Sequence, residues 1–322
     1  MGALQEVGSE TSRGGREEGA ARAKDAAAGA RCHAPGESVP RRGGAGAGGY
    51  VSPMLRLGSV PYLVGRPLDL GLEDDAALTY ERRVPARLVA GLRGDELDVA
   101  LVSAIELFRQ PGARPVAGLA VAGRGEVDSV QVFLRRPLNE VRRLALDPSS
   151  RAAATLVRVL LAEREGGPPE YVEVPLEADP RDADADAWLR IGDKALEEAW
   201  CEELPHWNPS ATWTAETGLP FVFATWLVRA GAPINAHLAR LHTAAERGIA
   251  ARTELAEASA LELGLPAERL VHYLAQQCVF RLGDEMERAL RLYGERARAL
   301  GLAFVFQHPR VVHAPPRHGH LQ

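Results

Sequence analysis

From Met54 onward, short apolar runs alternate with segments of helical periodicity, and no other feature restricts the fold as much. "MLRLGSV" reads as a strand. "VPARLVAGLRG" reads as a helix, with Pro85 near its first position and Gly94 just past its end. "LDVALV" is a continuous apolar run of the kind buried on both faces of a parallel sheet. "SAIELF" then begins another helix, and "LAVAG" and "SVQVFLR" supply two more strands. A second block repeats the alternation: "VRRLALD" as strand, "PSSRAAATLVRVLLAERE" as helix, "EYVEVPL" as strand, and "AWLRIG" as strand leading into "DKALEEAW". The long apolar strand "LPFVFATWLVR" closes it. After Asn235 the chain is helical throughout, through "PAERLVHYLAQQCVF" and "GDEMERALRLYGERARALG". This pattern predicts a mostly parallel α/β sheet with helices on both faces.

In such sheets ligands sit at the carboxyl ends of strands. The residues at predicted strand ends are therefore the candidates. "DPSSRAAA" turns at Pro148 and starts a helix at about Ser150. A helix start carries unpaired N–H groups, and Ser149, Ser150 and the Arg151 guanidinium would add donors for a carboxylate or phosphate. The same residues serve equally as a plain serine N-cap with Arg151 in solvent. "SAIE" is S-x-x-E, a capping box in which Glu106 reaches back to the Ser103 N–H, although Ser103 can also face a ligand. Ser129 opens a strand. Asp193 follows a buried strand at a helix start, where it either caps the helix or enters a cleft. Tyr62, in "SVPYLVGRPL", stands where the first strand runs out.

Composition excludes several classes. The net charge of −5 does not suit a nucleic-acid binder. No apolar stretch is long enough to span a membrane. The three cysteines, at 32, 201 and 278, have neither disulfide nor metal spacing and suit a reducing cytoplasm. No P-loop, HExxH, G-x-G-x-x-G after a strand, or Ser-His-Asp order is present. No cofactor or metal is expected. Residues 1–53 are rich in Gly, Ala and Arg and nearly lack large apolar residues, so they read as a disordered extension without a secretory signal. Met54 would then serve as an alternative start. Residues 310–322 read as a loose tail. The residues alone thus give a cytoplasmic, two-lobed α/β protein with a polar, anion-tolerant cleft.

Five segments in order carry more. "VPYLVGRPL", "LRGDELDVALVSAIELFRQP", "VRRLALDPSSRAAATLVRVLL", "ADAWLRIGDKAL" and "TGLPFVFATWL" resemble the chorismate dehydratases of the futalosine route to menaquinone. The resemblance runs from about Met54 to Leu302. A sister family on the same fold, the 1,4-dihydroxy-6-naphthoate synthases, matches the "DELDVALVS" and "IGDKAL" pair less well. The resemblance implies a fold similar to type 2 periplasmic binding proteins, with C-terminal helices packed on lobe one. Residues 54–138 plus 228–309 would form lobe one and 139–227 lobe two. It also implies a lyase that dehydrates chorismate to 3-[(1-carboxyvinyl)oxy]benzoate. Tyr62, Val64, Ser103, Ser129, Ser149, Ser150 and Arg151 would meet the substrate, with Ser129 and Asp193 as candidates for the chemistry. The sequence departs from the family pattern at Val64, where an asparagine is usual, and in "HWNPSATW". A solute receptor without chemistry, and the sister synthase, are the alternatives. Oligomeric state is open.

Overall fold

The computed structural model describes residues 54–202, 204–305 and 311–313. They lie within one compact unit, Val51–Gln322. The expectations of a disordered extension at residues 1–53 and of an alternative start fall outside the described residues.

Eleven strands form two sheets among the described residues. The first sheet contains β1 (Leu55–Ser59), β2 (Leu78–Arg82), β3 (Val99–Ser103), β4 (Arg114–Gly123), β10 (Phe221–Val228) and β11 (Cys278–Arg281). Their order is β11-β4-β10-β3-β1-β2. The second contains β5 (Val130–Leu134), β6 (Arg143–Leu146), β7 (Glu170–Glu173), β8 (Ala187–Ile191) and β9 (His206–Trp207), in the order β7-β6-β8-β5-β9. The helices are α1 (Arg66–Asp69), α2 (Pro85–Arg93), α3 (Arg151–Leu161), α4 (Asp193–Cys201), α5 (Pro209–Thr217), α6 (Leu238–Ala250), α7 (Arg252–Leu263), α8 (Ala267–His272) and α9 (Asp284–Ala299).

Several expectations need correction. The sheets are mixed rather than mostly parallel: β10 runs antiparallel to both β3 and β4, and β5 antiparallel to β8 and β9. An apolar run does not encode its direction, because a strand buried on both faces looks the same either way up. The crossings between lobes also lie elsewhere than at residues 138 and 228. β5, expected in lobe one, pairs with β8 in the second sheet, and β10, expected in lobe two, lies between β3 and β4 in the first. The chain therefore crosses between Gly123 and Val130 and returns between Thr217 and Phe221. The expected helix through "HYLAQQCVF" stops at His272, passes through a π turn at Tyr273–Gln277 and becomes β11. Val279 and Phe280 are β-formers, and an open edge of β4 was there to be paired. The segment read as a loose tail contains Val312, which is buried and bridges Val116. Its backbone bonds Pro115 and Ala117, filling the part of the β4 edge that β11 leaves free.

Helix α3 shows why its sequence is apolar on more than one side. Ala152 and Leu156 pack into the core of the first lobe, whereas Ala153, Val157 and Leu161 pack into that of the second. It is a wedge shared by both lobes. The loop after β1 is fixed from behind. A Cβ on Gly248 of α6 would stand 2.4 Å from the Pro67 carbonyl oxygen, so only glycine lets α6 approach α1 this closely. The buried Asp69 carboxylate accepts from Ser59 Oγ at 2.6 Å and Tyr80 OH at 2.7 Å, tying the end of β1 to β2.

Candidate active site

The carboxyl ends of β1, β3 and β8 and the turn between β6 and α3 meet over a cavity of about 700 Å³, counted with its open mouth. Tyr62, Val64, Ser103, Ser129, Ser149 and Ser150 all line it. Arg151 and Asp193 do not line it.

What each residue does locally differs from the simplest expectation. Ser103 and Glu106 do not form a capping box. Ser103 Oγ accepts the Ala152 N–H at 2.7 Å, which bridges the lobes and leaves its own proton for another acceptor. Glu106, 0% exposed, faces three guanidinium groups: Arg93 at 2.7 Å, Arg151 at 3.0 Å and Arg109 at 3.5 Å. Three cations within reach outcompete a single backbone donor for one carboxylate. Arg151 is therefore turned toward Glu106 rather than into the cavity. Ser150 is an N-cap, accepting from the Ala153 N–H at 3.2 Å. The Ser149 hydroxyl donates to Asp147, whose other oxygen accepts the Ile191 N–H at 3.1 Å. Two N–H groups at the start of α3 thus already have protein acceptors, so hydroxyl groups rather than the helix end give the cavity its polarity.

Asp193 opens α4, and its two oxygens stand 3.3 and 3.4 Å from the Leu63 N–H. Burial raises its pKa; the Leu63 hydrogen bond and Arg66 oppose this. The carboxylate thus caps a turn of the opposite lobe. Beside it, the backbone of Gly192 (φ 69°, ψ −152°) packs under the Tyr62 ring, and a Cβ there would lie 3.4 Å from that ring. Burial raises the pKa of Tyr62, partly offset by its hydrogen bond to Ser149.

Cys278, Phe223 and the floor of the cavity were not among the candidates at predicted strand ends. Cys278, in β11, lines the wall, and burial pushes its thiol up to about 12, so it is neutral and not a nucleophile near neutral pH. Behind it the buried Tyr273 donates to Ser129 Oγ at 2.8 Å. The only signal in the sequence was the departure from helical pattern at "QQCVF". No carboxylate, imidazole, ammonium or guanidinium group is among the lining residues. Among the described residues no cluster of three or more His, Cys, Asp or Glu side chains has metal-binding geometry. No helix among them is long and apolar enough to cross a membrane.

Two mixed sheets, two crossings and a cavity between them give a periplasmic-binding-protein-like fold. The solved structures agree. Protein AF1704 from Archaeoglobus fulgidus superposes with a TM-score of 0.63 at 18% identity, covering 77% of this chain and 98% of that one. The alkanesulfonate-binding protein SsuA from Xanthomonas axonopodis pv. citri, bound to MOPS, gives 0.61 at 15% identity, covering 81% and 98%. Sequence comparison is narrower. A family model described as menaquinone biosynthesis matches residues 55–299. A chorismate dehydratase of Thermus thermophilus is 33% identical over 241 residues, covering 69% of this chain and 86% of the relative. The chain belongs to the menaquinone biosynthesis family.

Proposed function

We propose that this protein is a carbon–oxygen lyase that dehydrates chorismate to 3-[(1-carboxyvinyl)oxy]benzoate, on the futalosine route and in the cytoplasm. One observation supports this beyond family membership: the interlobe cavity is lined by hydroxyl groups and apolar side chains and by no ionised group. The reaction is a 1,2-elimination. The ring loses the proton on the carbon bearing the enolpyruvyl ether, hydroxide leaves the neighbouring carbon, and aromatisation drives the step. A protein base near the ring proton would ordinarily be a carboxylate or imidazole. None lines this cavity, and Asp193 is engaged with Leu63. A carboxylate of the substrate therefore acts as the intramolecular base, and the protein holds the reactive conformation. Ser103, Ser129 and Ser150 supply hydrogen bonds to the substrate oxygens, while Ser149, whose proton goes to Asp147, and Tyr62 wall the ring.

The test is direct. The full chain is incubated with chorismate and the products are read by mass spectrometry. Loss of one water with a new benzoate absorbance is expected; unchanged chorismate that nevertheless binds would sink the reading.

A receptor without chemistry is the second reading, and Val64 favours it. This side chain lines the cavity and offers no hydrogen bond where the family pattern has an amide. Val64→Asn is expected to raise kcat on the order of tenfold, the effect of one ordinary added hydrogen bond. An unchanged kcat would confine position 64 to a role in shape.

A further inference from the structure

Ser129 is held from three directions at the crossing between the lobes. Its carbonyl oxygen accepts the Gly192 N–H at 2.9 Å. The preceding residue, Asp128, donates its N–H to Gln277 Oε1 at 2.9 Å, and its carboxylate accepts from Trp200 Nε1 at 2.9 Å. The Ser129 hydroxyl itself accepts from Tyr273 OH at 2.8 Å. Tyr273 is 1% exposed and Ser129 5%. Tyr273 and Gln277 are the first and last residues of the π turn, so this one irregular turn makes two of the contacts that fix residues 128–129. Such turns are rare and recur at functional sites.

The direction of the Tyr273–Ser129 bond matters. A phenol is a far stronger acid than an alkyl alcohol, so the shared proton is the phenol's. Burial keeps that phenol protonated. The Ser129 hydroxyl then retains its own proton, with Tyr273 on one side and the cavity on the other. A hydroxyl that accepts one hydrogen bond is polarised into a better donor of the next.

We propose that Tyr273 is a positioning residue that orients the Ser129 hydroxyl as a hydrogen-bond donor into the cavity, toward the departing hydroxyl of the substrate. This rests on the dehydratase reading. Ser129 donates a hydrogen bond to the oxygen on which charge builds as the C–O bond breaks. The proton that completes the water is the one taken from the ring, so Ser129 and Tyr273 end the reaction as they began it.

Tyr273→Phe removes the phenol oxygen and keeps the ring that packs edge-on against Trp200. It is compared with Ser129→Ala and with the double variant by steady-state kinetics on chorismate and, should the wild-type protein not turn it over, by calorimetric binding of chorismate, which keeps the hydroxyl that Ser129 would meet. The expected result is a kcat about tenfold lower for Tyr273→Phe with KM within about twofold. Ser129→Ala falls at least as far, and adding Tyr273→Phe to it changes nothing more. A kcat within twofold of wild type, or losses that multiply in the double variant, would overturn the proposal. If Tyr273→Phe does not fold, Ser129→Ala decides: an unchanged kcat overturns it. A wild-type protein inactive on chorismate defeats the dehydratase reading separately, and the binding arm then decides. Non-additive losses of affinity uphold the Tyr273–Ser129 pair; additive losses, or no binding at all, reject it.

Discussion

The two junctions that join the lobes beside the cavity are built from opposite materials. At the first, the "SAIE" turn after β3 meets the start of α3 through a buried carboxylate, Arg151 and the Ser103–Ala152 bond. Tyr293 adds a bond from its hydroxyl to the Ala152 carbonyl at 3.1 Å. At the second, the loop after β1 meets the start of α4 through two long contacts to Asp193 and a tyrosine ring lying on a glycine. The first junction depends on neutralising one carboxylate that cannot be buried alone with three guanidinium groups that remain partly exposed. The second depends on shape. Both look alike in the sequence, a small or acidic residue after a strand, but they should respond very differently to substitution.

The largest effect belongs to the first junction. Glu106→Ala removes the shared acceptor of Arg93, Arg109 and Arg151 and is expected to lower stability by about 3 kcal/mol, read by denaturant unfolding. A loss below about 1 kcal/mol would show that solvent already screens this cluster. Acid unfolding provides a reference within one lobe. Asp98 binds Arg56 and Arg229; burial works against its ionisation, but these partners hold it at about 2. Its folded pKa lies below its unfolded one, so its contribution is full above about pH 4 and is lost as pH falls toward 2. Asp98→Asn should be less stable at pH 7 and lose less stability than wild type across that window. Parallel acid-unfolding curves would contradict the assignment.

Smaller effects are expected at the second junction. Gly192→Ala places a Cβ at a φ of 69° and against the Tyr62 ring, which should cost about 1–3 kcal/mol. A melting temperature equal to wild type would mean the loop moves away freely. Asp193→Asn keeps an oxygen to accept the Leu63 N–H, so stability should change by less than about 1 kcal/mol. Chorismate turnover should stay within about twofold. A loss of a hundredfold or more would return Asp193 to the role of base and end the comparison between the junctions.

Much of this was legible in the chain, and particular residues show where legibility stopped. Pro85 and Gly94 bound α2 as expected, because capping depends on one residue's own backbone. Asn208 and Pro209 begin α5 by the same rule, with Asn208 Oδ1 accepting the Ala211 N–H, although "HWNPSATW" was read only as a departure from the family pattern. Ser150 was legible as a cap, but Arg151 was not legible as a partner of Glu106, 45 positions away. Cys278 reaches the cavity only because β11 pairs antiparallel to β4, and Tyr273 stands behind it, bonded to Ser129.

By itself the sequence determined the strand-and-helix alternation, the strand ends on which the cavity is built, and the serines that line it. These follow from local periodicity and turn chemistry, which neighbouring residues settle among themselves. Tertiary structure alone decided the direction of β10, the crossings between the lobes, and which polar groups were turned into the cavity. Those outcomes depend on competition among distant partners. Three arginines claim Glu106, Leu63 engages Asp193, and Tyr273 occupies one side of Ser129. The charged residues are held between or behind the lobes, and the hydroxyl groups are left to line the cavity.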